Sequence, residues 1–87
     1  MSDSIEKMNK AIAILKQISE DTTTPRNIRR AASEAIEALI EGKYTPAVKA
    51  SNAISILEEA SQDPNCPLHS RTKIWSAVSI LETVRDE

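Results

Sequence analysis

Ser19-Glu20-Asp21-Thr22-Thr23-Thr24-Pro25-Arg26-Asn27-Ile28-Arg29 decides the fold of this 87-residue chain, because it recurs as Ser61-Gln62-Asp63-Pro64-Asn65-Cys66-Pro67-Leu68-His69-Ser70-Arg71. Both copies read S-x-D-x-x-x-P-x-x-x-R. Each is the end of one helix, a short loop and the start of the next. Working outward, a shift of 42 positions matches Ala11/Ala53, Ile12/Ile54, Ile14/Ile56, Leu15/Leu57, Ala35/Ala77 and Leu39/Leu81 as well. The spacing predicts one hairpin plan used twice, over about residues 4–41 and 46–85.

Composition agrees with an all-α reading. One Gly, one Trp, one Tyr and no Phe argue against a sheet, which favours aromatic residues and Gly-rich turns. The expected fold is a four-helix bundle of two tandem antiparallel helical hairpins, forming a single domain over residues 1–87. A net charge of −2 gives no global attraction to nucleic acid or anionic membrane. The start Met1-Ser2-Asp3 has no basic and apolar leader pattern, and no apolar run reaches the length of a membrane span, so a cytoplasmic protein is expected.

The first helix is expected from about Ser4 to Glu20, with Ser2, Asp3 and Ser4 offering cap oxygens. Its stripe reads Ile5, Met8, Ile12, Leu15 and Ser19, widened by Ala11, Ile14 and Ile18. Thr24-Pro25 reads as cap and first residue of a second helix to about Glu41. Its inward face is Ile28, Ala31, Ala32, Ala35, Ile36 and Leu39, and Gly42 follows as a left-handed terminator. Thr45-Pro46 starts a third helix to about Gln62, with Ala47, Ala50, Ile54 and Leu57 as its central seam and Val48, Ala53, Ile56 and Ala60 alongside. The fourth runs from about Leu68 to Arg85 on Ile74, Trp75, Val78, Leu81 and Val84. Trp75 reads first as a core anchor and second as an exposed hot spot of a self-association surface. Asn52, beside the third seam, reads as an amide fixing helix register, or as a polar group in a small pocket.

Recurring Asp and Arg need a reason beyond turn geometry. Asp21 at a helix C-terminus and Arg29 at a helix N-terminus each sit on the wrong side of a helix dipole. The expectation is therefore that Asp21 pairs with Arg29 and Asp63 with Arg71, each pair clamping its elbow for ~0.2–1 kcal/mol.

Two resemblances follow. The stretch Ile14 to Leu39, with Asp at the helix exit, Arg early in the next helix and Ala-Ala-Ser-Glu-Ala-Ile-Glu-Ala-Leu after it, resembles a HEAT-type helical repeat, which implies a scaffold for partner binding. Across nearly the whole chain, Pro25-Arg26-Asn27-Ile28-Arg29-Arg30-Ala31-Ala32, Val48-Lys49-Ala50-Ser51-Asn52-Ala53-Ile54 and Asp63-Pro64-Asn65-Cys66-Pro67-Leu68-His69-Ser70-Arg71-Thr72 resemble signature segments of the archaeal uncharacterised protein family 0147. That likeness implies an archaeal cytosolic four-helix bundle with no assigned activity and no catalytic residues.

The residues themselves supply little reaction chemistry. Cys66 and His69 are the only Cys and His, and they lack an orienting third group, so no catalytic residues are assigned and no enzyme is expected. No cluster has metal-ligand spacing, so neither a metal nor a cofactor is expected. Cys66 reads as a space-filler. The leading expectation is a non-enzymatic interaction module with a protein partner, a homodimer being one form of it. The alternative is RNA or a phosphate ligand at two basic helix starts, Arg26, Arg29 and Arg30 with His69, Arg71 and Lys73. Glu20, Asp21, Glu34 and Asp63 stand near enough to neutralise much of that charge, Arg30 and Glu34 being spaced i,i+4.

Overall fold

Helix-forming stretches separated by Asp, Thr and Pro punctuation become four helices in a computed structural model that describes residues 3–86. They are α1 Asp3–Glu20, α2 Arg26–Ile40, α3 Pro46–Ser61 and α4 Leu68–Leu81, with no strand among the described residues. Each helix packs on its chain neighbours, and α1 also packs on α4, so the four close into an up-and-down ring. The diagonal helices α1 and α3 touch lightly along the axis. The α3/α4 contact is less extensive than the other three. The bundle measures 37 × 19 × 19 Å.

The core is built from Met8, Ala11, Leu15 and Ile18 of α1, Ile28, Ala32, Ala35 and Leu39 of α2, Ala50, Ala53, Leu57 and Ala60 of α3, and Ile74, Ala77, Val78 and Leu81 of α4. Cys66 and Val84 join it from outside the helices. Small residues at the contacts let the backbones approach closely. On α2 the expected face is the observed one.

On the other helices most of the expected residues are buried, but individual members of each stripe are displaced. Ile5 is exposed while Ser4 is buried. On α3 the seam runs through Ala53, leaving Val48 and Asn52 exposed, so Asn52 neither fixes register inside the bundle nor lies in a pocket. On α4 Ala77 takes the central place, and Trp75 is 46% exposed rather than a core anchor. Helix α4 also ends at Leu81, four residues short of Arg85.

Helix ends depart from the expected caps for a common reason: other groups reach the free backbone first. Ser2, one offered cap, lies outside the described residues, and Ser4 lies inside α1, where its hydroxyl donates to Arg85 O at 2.6 Å. Thr24 does not cap α2, because its hydroxyl turns inward to Ser70. Thr45 makes no side-chain cap either. Instead the Ala47 N–H in the first turn of α3 donates to Asp86 Oδ1 at 2.9 Å, so the chain's C-terminal segment closes that end. Gly42 does not adopt positive φ. Glu41 leaves the helix in an extended conformation, and its carboxylate takes the Lys43 N–H.

Candidate functional site

The two elbows use one backbone plan. Asp21 N–H and Asp63 N–H donate to Ile18 O and Ala60 O, each at 3.2 Å, and Thr24 N–H and Cys66 N–H donate to Asp21 O and Asp63 O at 3.0 and 2.9 Å. Each aspartate folds back on its own loop. Asp21 Oδ1 accepts from Thr23 N–H at 2.9 Å, and Asp63 Oδ1 accepts from Asn65 N–H at 2.8 Å, as Asp does in an Asx turn. All these partners stand 42 positions apart.

The expected Asp–Arg pairs do not form. Arg29 Nε donates to Thr24 O at 3.0 Å. Arg71 Nε donates to Ser61 O at 3.0 Å, and its Nη2 reaches Cys66 O at 3.3 Å and Asp63 O at 3.4 Å. The physical reason is that chain reversal leaves carbonyl groups without N–H partners, and a guanidinium offers five donors in a fork. Dipole reasoning placed the arginines correctly beside their elbows and gave them the wrong acceptors.

Freed from arginine, each aspartate reaches the opposite elbow. Asp21 Oδ2 lies 3.3 Å from His69 Nε2, and Asn27 Nδ2 donates to Asp63 Oδ2 at 2.5 Å. Residues 27 and 69 are themselves 42 apart, so the exchange is reciprocal, as in a twofold relation between the hairpins. Thr23 Oγ1 gives its proton to Asp21 Oδ1 at 2.6 Å and lies 3.3 Å from His69 Nε2, which assigns Nε2 as the protonated nitrogen. Beneath them Thr24 Oγ1 and Ser70 Oγ meet at 2.8 Å in the buried junction.

These bonds fix the charge state of the elbow. The Thr23 hydroxyl and N–H hold the Asp21 carboxyl down to about 2; desolvation opposes them, by more than either Thr24 or His69 adds on the lowering side. A carboxyl depressed in the folded state stabilises it above the unfolded carboxyl range and loses that contribution as pH falls. In urea titrations the stability gap between the wild type and Asp21→Asn is expected to be constant above about pH 5 and to shrink from about pH 4 toward 2. A gap that does not change with pH would remove Asp21 from the clasp.

The proposed basic group is divided by this arrangement. Arg29 and Arg71 are committed to backbone carbonyls, His69 is half exposed beside Asp21, and Arg26 and Arg30 point outward from α2. Lys73 is half-buried on α4. Arg30 and Glu34 form no ion pair and instead line an open groove of about 260 Å³ between α2 and α3. Glu59 and Asp63 line it too, giving three carboxylates to one guanidinium. That balance repels a phosphate. Cys66 is buried, with its thiol directed at Pro67 O, and burial pushes it above the usual thiol range. It is a space-filler of low reactivity. No group of three or more potential metal ligands occurs among the described residues.

A different surface stands out on α4, and sequence reasoning saw only part of it. Leu68 is 76% exposed, and it continues through Thr72, Trp75, Ser79 and Glu82 as one outward stripe with spacings 4, 3, 4 and 3. The positions 42 earlier on α2 are also exposed, and they compare as Arg26/Leu68, Arg30/Thr72, Ser33/Trp75, Glu34/Ser76, Glu37/Ser79 and Ile40/Glu82. Four charges on α2 are matched by uncharged residues on α4, and only at Ile40/Glu82 is the order reversed. The same holds between α1 and α3 at Glu6/Val48 and Lys10/Asn52. The signal was present in the sequence, in the exposed columns of the alignment of one half against the other.

The molecule is thus an all-α four-helix protein with structurally committed polar elbows and one charge-depleted flank. Its chain belongs to the Uncharacterised protein family (UPF0147), whose profile matches residues 1–84. The UPF0147 protein of Sulfurisphaera tokodaii is 56% identical over 84 residues, covering 97% of this chain and 94% of the relative. That of Pyrococcus abyssi is 54% identical over 86 residues, covering 98% and 100%. Among solved structures, the unknown-function protein MMP1188 superposes with a TM-score of 0.91 at 44% identity, covering 94% of this chain and 93% of that one. The UPF0147 protein from Thermoplasma acidophilum gives 0.88 at 28% identity, covering 94% and 96%. No described helix is long and apolar enough to cross a membrane.

Proposed function

We propose that this protein is a non-enzymatic protein-interaction module of the cytoplasm that docks its partner on the outward face of α4. The observation that carries the reading is the replacement of four exposed charges on α2 by uncharged residues at the matching positions of α4, with Trp75 at the centre of the stripe. Interface cores are depleted in charge and enriched in tryptophan. A solvated face of a small protein has no use for that composition. The reading treats the chain as one hairpin plan used twice, the first half keeping its charged surface and the second adapted to a partner. The buried thiol of Cys66 is compatible with a reducing compartment.

A photo-crosslinking residue placed at position 75 in the native cell, with position 33 as the matched control on α2, tests this. Discrete adducts from 75 and none from 33 are expected, with the crosslinked protein binding again when purified. Equal yields from both positions would overturn the docking face. A shift of labelled RNA at low salt that vanishes in Arg26→Glu/Arg30→Glu would move the function to the elbow end, where α2 and α4 begin behind prolines without side-chain caps.

A further inference from the structure

We infer that the groove between α2 and α3 receives a lysine side chain of a partner protein, its alkyl stem against Ala31 and Ala60 and its ammonium between Glu34 and Glu59. The groove involves no residue of α4, so this inference is independent of the docking reading above.

The twofold relation between the hairpins supplies the comparison. It carries the α2/α3 flank onto the α4/α1 flank, and both are extensive helix contacts. Across the shift of 42 positions, Ala31 and Ala60 of the groove correspond to Lys73 and Ile18, and Glu34 and Glu59 to Ser76 and Gln17. On the α4/α1 flank the chain's own side chains take up the room, Ile18 being buried and Lys73 half-buried. On the α2/α3 flank two alanines leave a groove of about 260 Å³, and two carboxylates are added to its walls. Room for a lysine and charge for one therefore arise at the same place. Ile28, where the other half has Ser70, keeps the floor apolar together with Ile56.

The charges favour a cation. Asp63 has both oxygens engaged, by Asn65 N–H and by the Asn27 amide, whereas Glu34 and Glu59 form no ion pair among the described residues. Arg30 is the one cation of the lining and leaves the groove acidic. The volume lies below the ~300–1,000 Å³ of small-molecule pockets and suits a single side chain. Lysine has the required form, because it lays an alkyl stem on apolar surface while its ammonium stays in water beside the exposed carboxylates. A straight stem is also what the matching place holds in Lys73.

Amide NMR spectra of the isotope-labelled full chain, titrated with an end-blocked tripeptide carrying one central lysine, test this. Saturable shifts are expected at Ala31, Glu34, Glu59 and Ala60, in the millimolar range because one side chain makes the contact. The same peptide with norleucine or acetyl-lysine should produce none. Glu34→Gln/Glu59→Gln is expected to weaken binding about five- to tenfold, Glu37→Gln outside the groove to leave it unchanged, and Arg30→Gln to strengthen it. Ala31→Lys, which copies the other half, should abolish the response while its spectrum remains that of a folded chain. Shifts spread over all the exposed carboxylates, or binding that survives both Ala31→Lys and Glu34→Gln/Glu59→Gln, would overturn the site. Tighter binding of the corresponding arginine peptide would overturn the choice of lysine. Crosslinking at position 75 is a separate result, and neither outcome there changes this one.

Discussion

Leu57→Ala is expected to lower the thermal midpoint by about 17–23 °C, among the largest single-residue effects in the bundle. Leu57 is fully buried on α3. Leucine-to-alanine changes in a core cost about 2–5 kcal/mol, and the position within that range depends on whether neighbours can close the gap. Here they cannot close it well. Seven of the eighteen buried hydrophobic residues described are alanines, among them Ala53 and Ala60 on the same helix and Ala32 and Ala35 on α2. Those backbones already meet closely, and an alanine has no side chain to swing into a void. A cost of about 3–4 kcal/mol follows, a large part of the total stability of a domain this small. At about 2 cal/mol/K of unfolding entropy per residue, it translates into the stated shift. Leu15→Ala, 42 positions earlier and equally buried, should match it. Ile5→Ala, at a side chain 56% exposed, should change stability by less than about 0.5 kcal/mol. Circular-dichroism melts of the three variants decide this, and a loss below about 1 kcal/mol for Leu57→Ala would show that α3 turns a different face inward.

The number of helices and the places where they turn were legible because Pro25, Pro46, Pro67 and the Asp and Thr around them are local signals, set by backbone sterics alone. The facing of α2 was legible throughout, because charges fill its outer side, whereas on α3 and α4 the buried Ala50, Ala53, Leu57, Ala60, Ile74, Val78, Leu81 and Val84 were read correctly together with exposed Val48 and Trp75, which were not. On α3 and α4 the outer side carries Val48, Ser51, Asn52, Ser55, Leu68, Thr72, Trp75 and Ser76, so hydrophobicity alone could not separate inside from outside. Trp75 was read first as an inward anchor for its place beside Val78 and second as exposed; it is 46% exposed, and Ala77 is the buried residue where α4 meets its neighbours. The loss of contrast that blurred the fold is the same feature that marks the surface. At the elbows, position was legible and bonding was not. A charge pair can be guessed from two residues, whereas the need of Ser61 O or Thr24 O for a donor arises only once the chain has turned. The exchange of Asp21 with His69 and Asn27 with Asp63 also depends on the hairpins meeting by a twofold relation, and sequence spacing leaves that choice open.

Arg71→Ala is expected to cost about 2–3 kcal/mol and Arg29→Ala only about 1, although both arginines hold the same place in their elbows. The difference comes from what else ties each loop. In the first elbow Thr23 and Thr24 contribute hydroxyls, bonding Asp21 at 2.6 and 3.3 Å, and Arg29 adds one bond to Thr24 O. In the second, Asn65 and Cys66 occupy the positions matching Thr23 and Thr24 and bring no hydroxyl. Arg71 supplies three contacts instead, to Ser61 O, Asp63 O and Cys66 O. Removing it leaves the Ser61 carbonyl, at the buried end of α3, without a donor, and unsatisfied buried acceptors cost about 1–3 kcal/mol each. Arg71 is only half-buried, so water reaches part of the gap and the total stays below three full penalties. Lysine should recover less than half of the loss, because one ammonium cannot span the carbonyls that Nε and Nη2 reach together. The loosened loop has its own reporter. Cys66 N–H is held by Asp63 O at 2.9 Å and its thiol is buried, so Arg71→Ala should speed the reaction of Cys66 with a thiol reagent, while Arg29→Ala leaves that rate unchanged. Equal losses in the two alanine variants, or a Cys66 rate indifferent to Arg71, would mean that the prolines alone hold the second elbow.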